Sequence, residues 1–137
     1  MFKTIMIPID LAHRDKLEKA IKIAGEIASI QDASLTLVGI SADVPGEIAQ
    51  TPALYREKLK DFTAEQSNRI GRALDWKAVF VPDPRRDLDD ALRDTAHELG
   101  ADLIVMASHI PTFADQIIAS NTGALASHAD LSVLIVR

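Results

Sequence analysis

The sequence predicts an α/β fold: an open five-stranded parallel sheet with helices on both faces. Three observations lead there. Short runs rich in Ile, Leu and Val alternate with longer stretches of helical periodicity, in the order β-α-β-α-β-α-β-α-β. Such alternation builds a mostly parallel sheet through right-handed crossovers. The first run is apolar on both faces, as a central parallel strand requires. No linker, charge block, low-complexity tract or repeat divides the 137 residues. That length suits one domain with a real core, and a single domain over residues 1–137 is expected.

The first strand is predicted over Phe2 to Ile9, ending at Pro8-Ile9-Asp10, with Asp10 to His13 as the turn after it. A helix follows over Asp15 to Ile30. Leu17, Ile21, Ala24 and Ala28 form its inner stripe, Ala20, Ile23, Ile27 and Ile30 widen it, and Lys16, Lys19 and Lys22 lie mainly on the other side. Asp32-Ala33 turns the chain into a second strand, Ser34 to Ile40. Pro45, Gly46 and Pro52 mark an irregular stretch. Thr51-Pro52 then caps a helix with Pro at its first position. That helix is predicted to run to about Leu74 with Tyr55, Leu59, Phe62, Ile70 and Leu74 inward. Trp76 to Val81 is the third strand, and Pro82-Asp83-Pro84 a rigid loop. Asp87 and Asp90 suggest the start of a third helix, carried by Leu88, Ala91, Leu92, Thr95, Ala96 and Leu99 and stopped by Gly100. A fourth strand spans Asp102 to Met106. A polar loop from Ala107 to Ala114, a helix opened near Ser120, Asn121 and Thr122, and a closing strand at Val133 to Val136 complete the order.

Composition removes several function classes. The formal charge is -5, and the aromatics are one Trp, one Tyr and four Phe. Neither a basic face for nucleic acid nor a base-stacking platform is expected. No run approaches the about 18 apolar residues of a membrane span. The N-terminal stretch lacks signal-peptide organisation, and with no cysteine the expected location is cytoplasmic. Gly-x-x-x-x-Gly-Lys-Ser/Thr is absent, and the turn after the first strand contains no glycine, so P-loop and standard dinucleotide motifs are missing. His13, His97 and His128 match no metal-ligand spacing, and no metal is required. Asp87, Asp89, Asp90 and Asp94 read as a solvated helix face. No nucleophile–base–orienter set can be assembled, so an enzyme is not expected.

In open parallel sheets ligands bind outside the carboxyl ends of the strands, where strand order reverses. The residues near those ends, and the C-terminal frame, resemble the universal stress protein family of the adenine-nucleotide-binding superfamily. The resemblance lies in Ile7-Pro8-Ile9-Asp10, in Glu98-Leu99-Gly100-Ala101-Asp102-Leu103-Ile104-Val105-Met106, and in Ser120-Asn121, His128-Ala129 and Val133-Leu134-Ile135-Val136-Arg137. It spans the chain and is most specific at the C-terminal end. It implies the strand order 3-2-1-4-5.

The resemblance also implies a site. Nucleotide-binding members carry Gly-x-x-Gly and, further on, Gly-Ser/Thr in the last loop, where bare backbone lets N–H groups approach phosphates. A subset has a loop one residue shorter, roughly Gly-Ser-Arg-Asn-Pro-Ser, resuming at Gly-Ser-Asn. Here the corresponding residues are Ala107-Ser108-His109-Ile110-Pro111-Thr112 and Ala119-Ser120-Asn121. The hydroxyls and loop length are kept and the glycines are not. Each alanine held at positive φ would cost about 1 kcal/mol or more, and two such losses weaken binding about tenfold to a hundredfold. The implied nucleotide-binding residues are Pro8, Asp10, Val38, Gly39, Ala107, Ser108, His109, Ala119, Ser120, Asn121 and Thr122. Asp10 either meets ribose or adenine or caps the turn after it. Ser120, Asn121 and Thr122 fit both a helix cap and a phosphate contact. His109 either faces a phosphate or is an exposed loop residue. Arg86 replaces a glycine often found before the third helix.

The closing strand is apolar, β-branched and terminal, hence a predicted edge that needs covering. The resemblance implies a homodimer paired through Val133, Leu134, Ile135 and Val136. The resulting expectation is a stress-response regulatory or interaction module with a weakened site for ATP or another adenine nucleotide. The alternative is a dimeric stress-associated scaffold that binds no nucleotide, motivated by the lost glycines and the bulk of Ile110.

Overall fold

The computed structural model describes residues 1–46, 48–107 and 131–137. Five strands form one parallel sheet in the order β3-β2-β1-β4-β5, with β1 Thr4–Ile9, β2 Ser34–Ala42, β3 Asp75–Val81, β4 Leu103–Ala107 and β5 Ser132–Val136. This is the order that the resemblance implied. Helices α1 (Glu18–Gln31), α2 (Pro52–Ile70) and α3 (Pro84–Leu99) make the crossovers among the described residues. The chain steps from β1 to β2 to β3 in one direction and returns to β4 in the other. Right-handed connections therefore put α1 and α2 on one face of the sheet and α3 on the other. The helix predicted to open near Ser120 lies outside the described residues.

The core is the sheet's two faces. Ile5, Ile7, Ile9, Leu35 and Leu37 alternate with Met6 and Val38, all buried, as a central strand pair covered on both sides requires. Leu17 at the cap of α1, and Ala20, Ile21, Ala24 and Ala28 within it, are buried. Ile30 does not widen that stripe. It lies roughly 150° around the helix from the buried arc at about 100° per residue, and it is 81% exposed. Ile23 and Ile27 fall between and are half-buried.

Three helix boundaries differ from the prediction, each for a local reason. Asp10 to His13 is the start of a 3-10 turn, Leu11–Lys16, so α1 begins at Glu18. Helix α2 stops at Ile70, because Gly71 takes φ 65° and ends it. Leu74 therefore lies beyond the helix, where it packs against the core from the connection to β3. Helix α3 starts before Asp87. Asp83 is the cap, accepting from the Arg85 N–H at 3.1 Å, and Pro84 supplies the preset φ of a first-turn residue. Asp87 reaches back to the Asp83 N–H at 3.1 Å, and it and Asp89 are half-buried, whereas Asp90 and Asp94 are exposed.

The middle of the chain locks to its start at Asp102. Its two carboxylate oxygens accept the Lys3 N–H (2.9 Å) and the Thr4 N–H (3.1 Å), and its own N–H donates to the Thr4 carbonyl at 3.0 Å. Gly100, at φ 66°, turns the chain out of α3 and into this junction.

Candidate functional site

The site predicted at the carboxyl ends of the strands begins with a break in the β1–β4 hydrogen-bond ladder. Pairing of β1 with β2 continues through Ile9↔Gly39, whereas the described pairing of β1 with β4 stops at Met6↔Ile104. The sequence supplies the cause. The Lys3 carbonyl accepts from Ser34 on the β2 side, and the Thr4 carbonyl accepts from Asp102 on the β4 side. Backbone polar groups alternate sides along a strand, so Met6 and Pro8 direct theirs toward β4. Pro8 has no N–H to give. The β1–β4 ladder loses a donor there, and the described pairing ends where the order reverses. Pro8, Val38 and Ala107 lie at this end of the sheet, with Val38 and Ala107 buried.

Asp10 stands directly after β1, just beyond this break in the ladder. Its Oδ1 accepts the Ala12 N–H at 2.9 Å, and its Oδ2 lies 3.1 Å from His13 Nδ1. The side chain is 26% exposed. Asp10 is thus the cap of the 3-10 turn. A carboxylate oxygen offers more than one acceptor direction, so capping leaves lone pairs for a further donor.

Gly39 sits where β2 reaches the same end, and its bare Cα faces α2. A Cβ there would collide with the Tyr55 hydroxyl oxygen and stand 3.1 Å from Leu59 Cδ2 and 3.2 Å from Tyr55 Cε1. The missing side chain is therefore already used for packing. Tyr55 was read from the sequence only as an inward residue of α2. The structure places its hydroxyl against Gly39. Burial, and secondarily the Asp10 charge, push the phenol well above its ordinary value. The signal available in the sequence was a lone tyrosine one turn into a helix that starts near the strand ends, opposite a strand glycine.

Arg86 does not join this group. It is exposed on the first turn of α3 and holds Asp87 through Nε (2.9 Å) and Nη2 (3.2 Å). That contact lowers the Asp87 carboxyl below the usual range. Ser108, His109, Ala119, Ser120, Asn121 and Thr122 lie outside the described residues, as do Ile110 and the rest of the predicted phosphate loop. No cluster of three metal-ligating side chains occurs among the described residues.

Comparison with known proteins shows the family. The universal stress protein family matches residues 1–137. The chain belongs to the universal stress protein family. Universal stress protein G of Escherichia coli O157:H7 is 27% identical over 146 residues, with all of both chains covered. A universal stress protein crystallised in complex with cAMP shares the fold with TM-score 0.67 at 21% identity, covering 99% of this chain and 97% of that one. The universal stress protein of Archaeoglobus fulgidus in complex with dAMP has TM-score 0.64 at 17% identity, covering 98% of each. The part of the candidate site among the described residues comprises Pro8, Asp10, Val38, Gly39 and Ala107, with Tyr55 against Gly39.

Proposed function

We propose that this universal stress protein is a regulatory or interaction module that binds an adenine nucleotide, such as ATP, ADP or AMP, weakly, and that it is not an enzyme. The observation that carries the reading is the break in the β1–β4 ladder at Pro8, where the strand order reverses, with Asp10 directly after β1. Structural neighbours crystallised with cAMP and with dAMP support it. In this reading Ser108, Ser120, Asn121 and Thr122 supply phosphate donors, with His109 beside them. Ala107 and Ala119, standing where glycines are expected, weaken the grip. Calorimetric titration with ATP, ADP and AMP should give dissociation constants up to the millimolar range, weakened further by Ser120→Ala/Asn121→Ala. No heat at millimolar nucleotide would overturn the reading in favour of a scaffold without a nucleotide site. The reading includes a cytoplasmic location, supported by the acidic, cysteine-free composition.

A second element of the proposal is a homodimer through β5. The strand lies at the edge of the sheet, paired on one side by β4. Leu134 is 37% exposed, Val133 and Ile135 are half-buried and Val136 is buried. An apolar edge of this kind invites a further strand, and a second copy can provide it. Light scattering should show a dimer at micromolar concentration, and Leu134→Lys should shift it toward monomer. A monomeric wild-type protein would overturn this element.

A further inference from the structure

The sequence shows His13 only as the last residue of a turn. The structure ties it twice to Asp10. The His13 N–H donates to the Asp10 carbonyl at 3.0 Å, and its Nδ1 lies 3.1 Å from Asp10 Oδ2. The backbone leaves the helical range at this residue, with φ -127° and ψ 40° inside the 3-10 stretch. The next residue is engaged elsewhere: the Arg14 guanidinium lies over the Phe62 ring at 5.6 Å and 3.6 Å from Glu65 on α2. Both members of the Asp10–His13 pair reach solvent, with side chains 26% and 47% exposed. A ligand arriving at the end of β1 therefore meets Asp10 already in contact with His13.

A half-exposed carboxylate ordinarily turns about its side-chain bonds. The Ala12 N–H, at 2.9 Å, anchors Oδ1 alone. His13 anchors Oδ2, so the two contacts together fix the plane of the group. Each oxygen keeps a further lone pair, now in a set direction. A donor on a ligand that meets a fixed acceptor loses less freedom in ordering it, which is the source of affinity in a preorganised site. We propose that His13 is a positioning residue of the nucleotide site, its Nδ1–H holding the Asp10 carboxylate as an acceptor for the nucleoside part of the ligand. This rests on the nucleotide-binding reading above. The contact needs a proton on Nδ1. The neutral ring must therefore be the Nδ1–H tautomer, while the imidazolium carries that proton in any case.

The test is calorimetric titration of AMP into the wild-type protein, His13→Ala, His13→Asn and His13→Gln. The amide nitrogen of Asn can stand where Nδ1 does, and that of Gln where Nε2 does. His13→Ala should weaken AMP about 3- to 10-fold, the effect of one hydrogen bond. His13→Asn should return affinity to within about twofold of wild type, and His13→Gln should bind as weakly as His13→Ala. Unchanged affinity in His13→Ala would overturn the proposal while leaving nucleotide binding intact. So would rescue by Gln instead of Asn, which would mean that the far edge of the ring meets the ligand itself. Failure of wild type to bind AMP at millimolar concentration would overturn the nucleotide reading as well. A second readout needs no ligand. Nitrogen chemical shifts of the neutral His13 ring, assigned by the signal lost in His13→Asn, should report the Nδ1–H tautomer, because the hydrogen bond selects it. An Nε2–H tautomer would overturn the contact.

Discussion

Gly39→Ala is expected to destabilise the protein by about 2 kcal/mol, although Ala is ordinarily the better strand residue. Removing a glycine's backbone freedom should favour the fold by about 0.5–1 kcal/mol. That gain is outweighed because the new methyl enters space held by the Tyr55 hydroxyl, with Leu59 Cδ2 3.1 Å away. Neither neighbour moves freely: Leu59 is fully buried, and the Tyr55 ring is fixed against Phe80. Forcing an extra carbon into a filled core typically costs about 1–3 kcal/mol. The cause can be isolated by a double-mutant cycle. In a Tyr55→Phe background the colliding oxygen is gone, so the same Gly39→Ala change should cost at least about 1 kcal/mol less. Urea midpoints of the four proteins measure this directly. Additive losses would mean that Gly39 answers to something other than the tyrosine hydroxyl.

That pair also shows where the sequence was readable. Continuous apolar runs and a clean α1 stripe follow from burial on two faces and on one, so strands and helices could be placed from the pattern alone. Boundaries set by single backbone events were harder. The 3-10 turn after Asp10 has too few residues to show a period, and Gly71 ends α2 while apolar residues continue to Leu74. Polar residues that satisfy themselves inside the core were equally hidden. Thr63 is buried because its hydroxyl returns to the Leu59 carbonyl at 2.7 Å.

The candidate site divides in the same way. Asp10 and Pro8 could be nominated because their position after a central strand, and the resemblance, point at them. What Pro8 does there required the register, since only the alternation of Thr4 and Lys3 shows that its missing N–H faces β4. Gly39 was nominated for meeting a ligand, and the packing adds a second reason for a glycine at that position. Tyr55 could not be distinguished from Leu59 or Phe62 on a helical wheel, because chemistry and packing share one face of α2.

Stability should fall above pH 10 more steeply in wild type than in Tyr55→Phe. In the unfolded chain Tyr55 ionises near pH 10, its ordinary value. In the folded protein, burial and the neighbouring Asp10 carboxylate raise that value well above 10. Folding therefore holds the proton more tightly than the unfolded chain does. The associated stability is fully present below about pH 10, because both states are then protonated. As pH rises past that point the unfolded state alone releases the proton, and stability declines until the folded phenol ionises too. Lysine deprotonation weakens ion pairs over the same range, but it does so in both proteins and cancels in their difference. Urea midpoints between pH 8 and pH 11.5 should accordingly favour Tyr55→Phe progressively once pH passes about 10. Phenolate absorbance of the native protein should appear late and coincide with unfolding. A native tyrosine titrating reversibly near pH 10 would show that the hydroxyl is hydrated. It would remove the fixed ring that the Gly39 collision requires.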